Sequence, residues 1–215
     1  MKIGILGSGM VGQTLAKAFK NEGYEVMLGT RNISKEEVVS FSKNENISAG
    51  TFQQTAKFGE LLLLATKGNA TEEIIKAAGI ENFSGKVVID ATNPIDEKVA
   101  PTNGVLHFFT TLEESLMEIL QRAAPEAKFV KAFNSVGNSL MYKPQFSEGK
   151  PSMFICGNDD EAKKTITDIL EKFGWNTEDM GKAEAARAIE PLCILWCIKG
   201  FTKNAWTHAF KLLNK

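Results

Sequence analysis

Cysteine and histidine are scarce: three and two of 215 residues. Cys193 and Cys197 lie four apart in an apolar helical run, and no further ligands are spaced around them. The sequence therefore offers neither a disulfide framework nor a metal site, and the thiols read as small buried hydrophobes suited to a reducing cytoplasm. Charge of one sign is missing too. The 25 basic and 26 acidic residues nearly cancel, which argues against a nucleic-acid partner and against an acidic surface for polycations. Long hydrophobic runs are absent. The longest, Pro191 to Ile198, falls far below the roughly eighteen residues that span a bilayer, and Met1 to Leu6 is too short for a signal core. Neither membrane insertion nor export is expected, and the expected location is the cytoplasm. There is no internal repeat and no low-complexity linker.

What is present is an alternation. At 43% hydrophobic composition the chain can bury one sizeable core and a small appendage. Up to about residue 180, strand-length apolar runs alternate with helix-length amphipathic segments, the pattern of a parallel sheet covered by helices. The strand candidates are Lys2 to Leu6, Glu25 to Leu28, Leu61 to Ala65, Lys86 to Asp90, Phe129 to Ala132 and Ser152 to Cys156. Several are apolar throughout, as strands buried on both faces should be. Ser34 with Glu37 and Thr111 with Glu114 have the spacing of helix-capping pairs. Asp159 to Phe173 carries a helical stripe that stops at Gly174. Beyond Gly181 the strand signals vanish and one or two helices are expected, with Pro191 kinking the run. The expected fold is α/β: a Rossmann-type doubly wound parallel sheet over residues 1–180 and a small C-terminal helical domain over 181–215.

The first strand runs into GILGSGMVGQTLA. A G-x-G-x-x-G cluster also builds ordinary turns, but between a first strand and a first helix it is the dinucleotide fingerprint. Gly7 permits the tight turn, Gly9 removes a side chain where a pyrophosphate approaches, and Gly12 lets helix and strand pack closely. The helix start then aims free amides and its positive dipole end at phosphate. At the second strand's tip, where an NAD enzyme carries an acid, the sequence reads Thr30, Arg31, Asn32, a set suited to a 2′-phosphate. Such a charge-assisted contact is worth roughly 1.5–3 kcal/mol, about one to two decades of preference for NADP. Lys35, a cation at a helix start, adds to this. The alternative is that Arg31 and Lys35 are solvated while Glu36 and Glu37 answer the dipole.

Three strand ends, LLLLATK, VVIDATN and FVKAFNS, each finish in alanine and polar residues. Ligands of open α/β sheets bind outside such ends, so Ala65, Thr66 and Lys67, then Ala91, Thr92 and Asn93, then Ala132, Phe133 and Asn134 should rim a cleft; each could equally be an ordinary loop start. No catalytic side chain stands out. His107, in VLHFF, reads as packed or surface, and Trp196 and Phe201 as core or subunit interface. LCILWCI is apolar on nearly every side, which points to a homodimer whose helices cover each other.

Together the turn GILGSGMVGQTLA, the tip GTRN, the segments DATNP and VKAFNSVG, and EAARAIEPLCILW resemble the coenzyme F420:NADP oxidoreductase family. The resemblance implies a Rossmann domain followed by a small helical domain, NADP(H) in the cleft and frequent dimers. It implies that Gly7, Ser8, Gly9, Met10 and Val11 hold the pyrophosphate, that Thr30, Arg31 and Lys35 hold the 2′-phosphate, and that Asn134 and Ser135 lie near the nicotinamide. The expected activity is hydride transfer between NADPH and a small-molecule acceptor of flavin or deazaflavin type. An imine or carbonyl reductase, or a non-catalytic sensor of NADP(H), are the other readings.

Overall fold

The computed structural model describes residues 1–213. The strands are β1 (Lys2–Leu6), β2 (Glu25–Thr30), β3 (Ser48–Thr51), β4 (Leu61–Leu64), β5 (Val87–Asp90), β6 (Lys128–Lys131), β7 (Ser152–Gly157) and β8 (Asn176–Asp179). They form one sheet in the order β3-β2-β1-β4-β5-β6-β7-β8. β6 and β7 are antiparallel, and the other neighbours run parallel. Between β1 and β4 the order reverses direction. That switch point opens a crevice outside the carboxyl ends of the strands.

The period-2 geometry of a strand explains runs such as Leu61–Leu64, which are buried throughout. Leu61 and Leu63 face one core with α1 (Met10–Asn21) and α6 (Asp160–Lys172). Leu62 and Leu64 face a second core with α3 (Phe52–Phe58), α4 (Gly68–Ala78), α5 (Leu116–Ala123) and α7 (Ala186–Ile189). A third, smaller cluster gathers Cys193, Trp196 and Cys197 of α8 (Pro191–Lys203) under Ile95, Leu106 and Phe108 of the β5–α5 connection and under Trp206 and Phe210 of the final segment.

Several sequence expectations shift. Ser34 caps nothing: its amide donates to Asn32 Oδ1, and α2 (Glu36–Glu45) starts after Lys35 without a side-chain cap. The asparagine draws the chain into its own local turn and uses the residue that would have capped. Thr111 likewise accepts from Glu113 in a short turn. The helix begins four residues later, where Ser115 and Glu118 form a reciprocal capping box ahead of buried Leu116, Met117 and Leu120. Pro191 does not kink a continuous helix but is the first residue of α8, where its missing amide hydrogen costs nothing. Both edge strands, SAGT and NTED, escaped the sequence reading, because an exposed edge loses the apolar signal of a buried strand.

Candidate functional site

The glycine turn joins β1 to α1 at the switch point. Gly7 takes φ of 129°, and a Cβ there would sit 2.2 Å from the Ala65 carbonyl oxygen. A Cβ on Gly12 would lie 1.9 Å from the Gly7 carbonyl oxygen. Both glycines are demanded by the chain's own packing. Gly9 differs: its φ of −76° and ψ of −177° suit any residue, and a Cβ would meet nothing within 4 Å. No steric contact asks for glycine there, although Gly9 is the N-cap of α1, where glycine is tolerated better than alanine. The open space beside it belongs to a cleft of about 490 Å³ between the start of α1, with Ser8, Met10 and Gln13, and α2, with Glu37, Phe41, Asn44 and Glu45. Met10 is 72% exposed, whereas Val11 packs on the core.

Hydrogen bonds tie this turn to the tip of β2. Ser8 Oγ donates to Thr30 Oγ1 at 3.1 Å, and the Asn32 amide donates to the same oxygen at 3.3 Å. Gln13, which the sequence reading passed over, donates from Nε2 to the Ser8 carbonyl at 2.9 Å. Arg31 projects into solvent beyond the buried Thr30. Lys35 Nζ lies 2.5 Å from Glu37 Oε2. That pair is exposed and worth at most about 1 kcal/mol, so the lysine can readily leave it for a stronger anion.

The rim residues come together at the ends of β4, β5 and β6. A groove of about 220 Å³ is lined by Thr66, Lys67, Ala91, Thr92 and Asn93 among others. Lys67 is held over it by Glu97, 2.6 Å away. Ala132 and Ser135 are buried. Phe133 adopts φ of 63°, a left-handed conformation that a bulky side chain avoids. This turns the chain sharply at the end of β6. Asn93 Nδ2 then donates to the Asn134 carbonyl at 2.7 Å, and Asn134 Nδ2 donates to Asn93 Oδ1 at 3.3 Å and to the Ile189 carbonyl at 3.0 Å. Both side-chain nitrogens are thus used within the protein. Asn134 Oδ1 is buried without a hydrogen-bond partner among the described residues.

Sequence reasoning missed the charges beneath this rim. Lys131 Nζ, fully buried, lies 2.7 Å from Asp90 Oδ2 and 2.8 Å from Glu190 Oε1, and donates to the Thr92 carbonyl at 3.0 Å. Burial alone would lower the Lys131 pKa, but the two carboxylates outweigh it and hold the group above its ordinary value. The sequence shows only an acid and a base closing two successive apolar runs; that Asp90 and Lys131 are register partners, and that Glu190 joins them, is decided by the sheet and the α7–α8 junction.

Among the described residues no group of three or more histidine, cysteine or acidic side chains could hold a metal, and no helix is long and apolar enough to cross a membrane. Neither histidine stands at the strand ends. His107 Nε2 lies 3.0 Å from Thr102 Oγ1, and His208 stacks on Trp196. The three cysteines are free and buried. Trp196 is buried in the third cluster, whereas Phe201 is half-exposed.

A sequence model of the family described as NADP oxidoreductase, coenzyme F420-dependent, matches residues 2–94. A solved structure from Arthrobacter sp. FB24, assigned as an F420-dependent NADP-reductase, superposes with a TM-score of 0.92 at 31% identity and full coverage of both chains. The F420-dependent NADP reductase of Methanocaldococcus jannaschii is 28% identical over 204 residues, 89% of each chain. Metalloreductase STEAP3 of Rattus norvegicus is 28% identical over 193 residues; the match takes in 89% of this chain and 36% of that protein, so the chain spans about a third of its length.

Proposed function

The chain belongs to the coenzyme F420-dependent NADP oxidoreductase family and is an NADP-dependent oxidoreductase, and from that premise we propose that it moves hydride between NADPH and a flavin-like or deazaflavin acceptor. The observation that carries the nucleotide site is the contrast among the three glycines. Packing explains Gly7 and Gly12, while Gly9 borders open space that a bound pyrophosphate would need and a Cβ would occupy.

In this reading the amides of Ser8, Gly9, Met10, Val11 and Gly12 receive the pyrophosphate at the positive end of α1. Thr30, Arg31, Asn32 and Lys35 receive the 2′-phosphate. Arg31, exposed on the tip, supplies a permanent charge, and Lys35 exchanges Glu37 for the phosphate. Ala65, Thr66, Lys67, Asn93 and Ala132 shape the nicotinamide half, with Asn134 and Ser135 beside it. Nicotinamide when bound supplies the hydride. The chain's part is to orient the ring and exclude water; transfer between stacked rings needs no protein acid or base, and at the strand ends the ionisable side chains are engaged with partners, Lys67 with Glu97 and Lys131 with Asp90 and Glu190.

The test is a titration with NADPH and NADH side by side, in wild type and Arg31→Ala, followed by turnover with a flavin, deazaflavin and cyclic-imine panel. Arg31→Ala should weaken NADPH binding by about one to two decades and leave NADH nearly unchanged. Equal loss for both dinucleotides would remove the 2′-phosphate assignment. Turnover confined to the imine would move the acceptor to the imine-reductase class, and tight NADPH binding with no turnover would favour a sensor. A homodimer and a cytoplasmic location belong to the same proposal.

A further inference from the structure

The three buried charges have a geometry that the binding reading does not use. Glu190 sits at the junction of α7 and α8, immediately before Pro191, with φ of −59° and ψ of −44°. A residue preceding proline is sterically disfavoured in that helical region, so something must hold it there. Its carboxylate makes contacts on three sides: Oε2 accepts from the Leu116 amide at 3.0 Å, Oε1 accepts from the Met117 amide at 3.0 Å, and Oε1 lies 2.8 Å from Lys131 Nζ. Two buried carboxylates facing one ammonium leave an excess negative charge. The first amides of α5, the positive end of that helix, meet it.

The consequences run to the crevice by two routes. Lys131 and Asp90 grip Thr92: the lysine donates to its carbonyl, while Asp90 Oδ1 accepts from its amide at 2.9 Å and its hydroxyl at 2.6 Å. Thr92 is the neighbour of Asn93. On the other side, Ile189, the neighbour of Glu190, offers its carbonyl to Asn134 Nδ2. The Asn134 amide faces two acceptors, Asn93 Oδ1 and the Ile189 carbonyl, so its nitrogen is committed and it cannot flip. Its oxygen is left as a buried acceptor without a partner among the described residues.

We infer that Glu190 is a positioning residue: through Lys131 and the α5 amides it locks the α7–α8 junction against the sheet, and thereby sets the Asn93–Asn134 bridge that orients the nicotinamide end of the dinucleotide. This rests on the reading of Asn134 as a nicotinamide neighbour. Glu190 touches no ligand itself. Its removal should loosen one end of the bound dinucleotide and leave the phosphate end alone.

The experiment reads the two ends separately in the full-length chain. NADPH affinity reports the phosphate end, and the fluorescence lifetime of bound NADPH reports how tightly its nicotinamide is held. Glu190→Gln keeps a balanced Lys131–Asp90 pair and one acceptor for α5. It should shorten the bound lifetime at least halfway to that of free NADPH, with Kd within about threefold of wild type. Glu190→Asp, one methylene short, should fall between, and serves if the glutamine variant does not fold. Glu118→Gln is the control for damage to the same helices. It keeps the capping box and breaks only the contact with Arg187, so the lifetime should stay at the wild-type value. An unchanged lifetime in both Glu190 variants overturns the inference, as does equal shortening in Glu118→Gln or loss of affinity in parallel with lifetime. Wild-type chain that does not bind NADPH would instead overturn the nucleotide reading itself, and this inference with it.

Discussion

At the scale of single residues, the glycine turn separates what folding requires from what a ligand requires. Gly12→Ala places a methyl group 1.9 Å from a backbone oxygen, and should cost at least about 2 kcal/mol, visible as a drop in Tm. Gly9→Ala meets only open space and, at the N-cap of α1, should cost no more than about 1 kcal/mol. Yet it should weaken NADPH binding at least about tenfold, since the new methyl stands where the pyrophosphate approaches. Unaltered NADPH affinity in Gly9→Ala would mean that the turn is structural only. The G-x-G-x-x-G spacing already assigns the three positions different roles, and the structure adds the distances a Cβ would have, 2.2 Å to the Ala65 carbonyl oxygen and 1.9 Å to the Gly7 carbonyl oxygen, that make two of them steric necessities. Arg31 differs from the glycines: the structure leaves it exposed on the strand tip, and its contact with a 2′-phosphate is what the Arg31→Ala titration tests.

At the scale of elements, the joint between α5 and α7 is an ion pair with its own pH dependence. Arg187 grips Glu118 through Nε at 3.2 and 3.0 Å and through Nη2 at 2.6 Å. The guanidinium, helped by the Ser115 amide and hydroxyl, lowers the Glu118 pKa from 4.5 to about 2 against the opposing effect of burial. The folded value lies below the unfolded one, so the stabilisation is full above pH 4.5 and disappears as pH falls through about 2. With Arg187 partly screened by solvent, its size is on the order of 2 kcal/mol. The Tm gap between wild type and Glu118→Gln should therefore be widest near neutral pH and close on acidification toward about pH 2. A gap that stayed constant with pH would show that the pair contributes nothing through its charge. Capping chemistry located this helix only approximately: Thr111–Glu114 and Ser115–Glu118 share one spacing, and only the second precedes residues that can be buried.

At the scale of the whole molecule, α8 determines what remains for a partner. The chain covers Cys193, Trp196 and Cys197 itself but leaves Leu195 55% exposed and Phe201 48% exposed on the same helix. For the proposed homodimer, Leu195→Glu should shift sedimentation toward the monomer while NADPH affinity holds; a wild-type chain that is monomeric at micromolar concentration would end that proposal. The alternation of apolar runs determined the α/β class and the Rossmann-type sheet, because strands buried on both faces are apolar along most of their length. Motif and strand-end chemistry likewise marked the crevice, since Gly7–Gly12, GTRN, DATN and KAFNS all fall at carboxyl ends of neighbouring strands. Tertiary structure alone decided the two polar edge strands, the start of α5, and the joining of Asp90, Lys131 and Glu190 under the Asn93–Asn134 bridge. Those features depend on pairing between residues far apart in the chain, as far as Glu190 from Leu116, and no local period or spacing records which distant amide a buried carboxylate will meet.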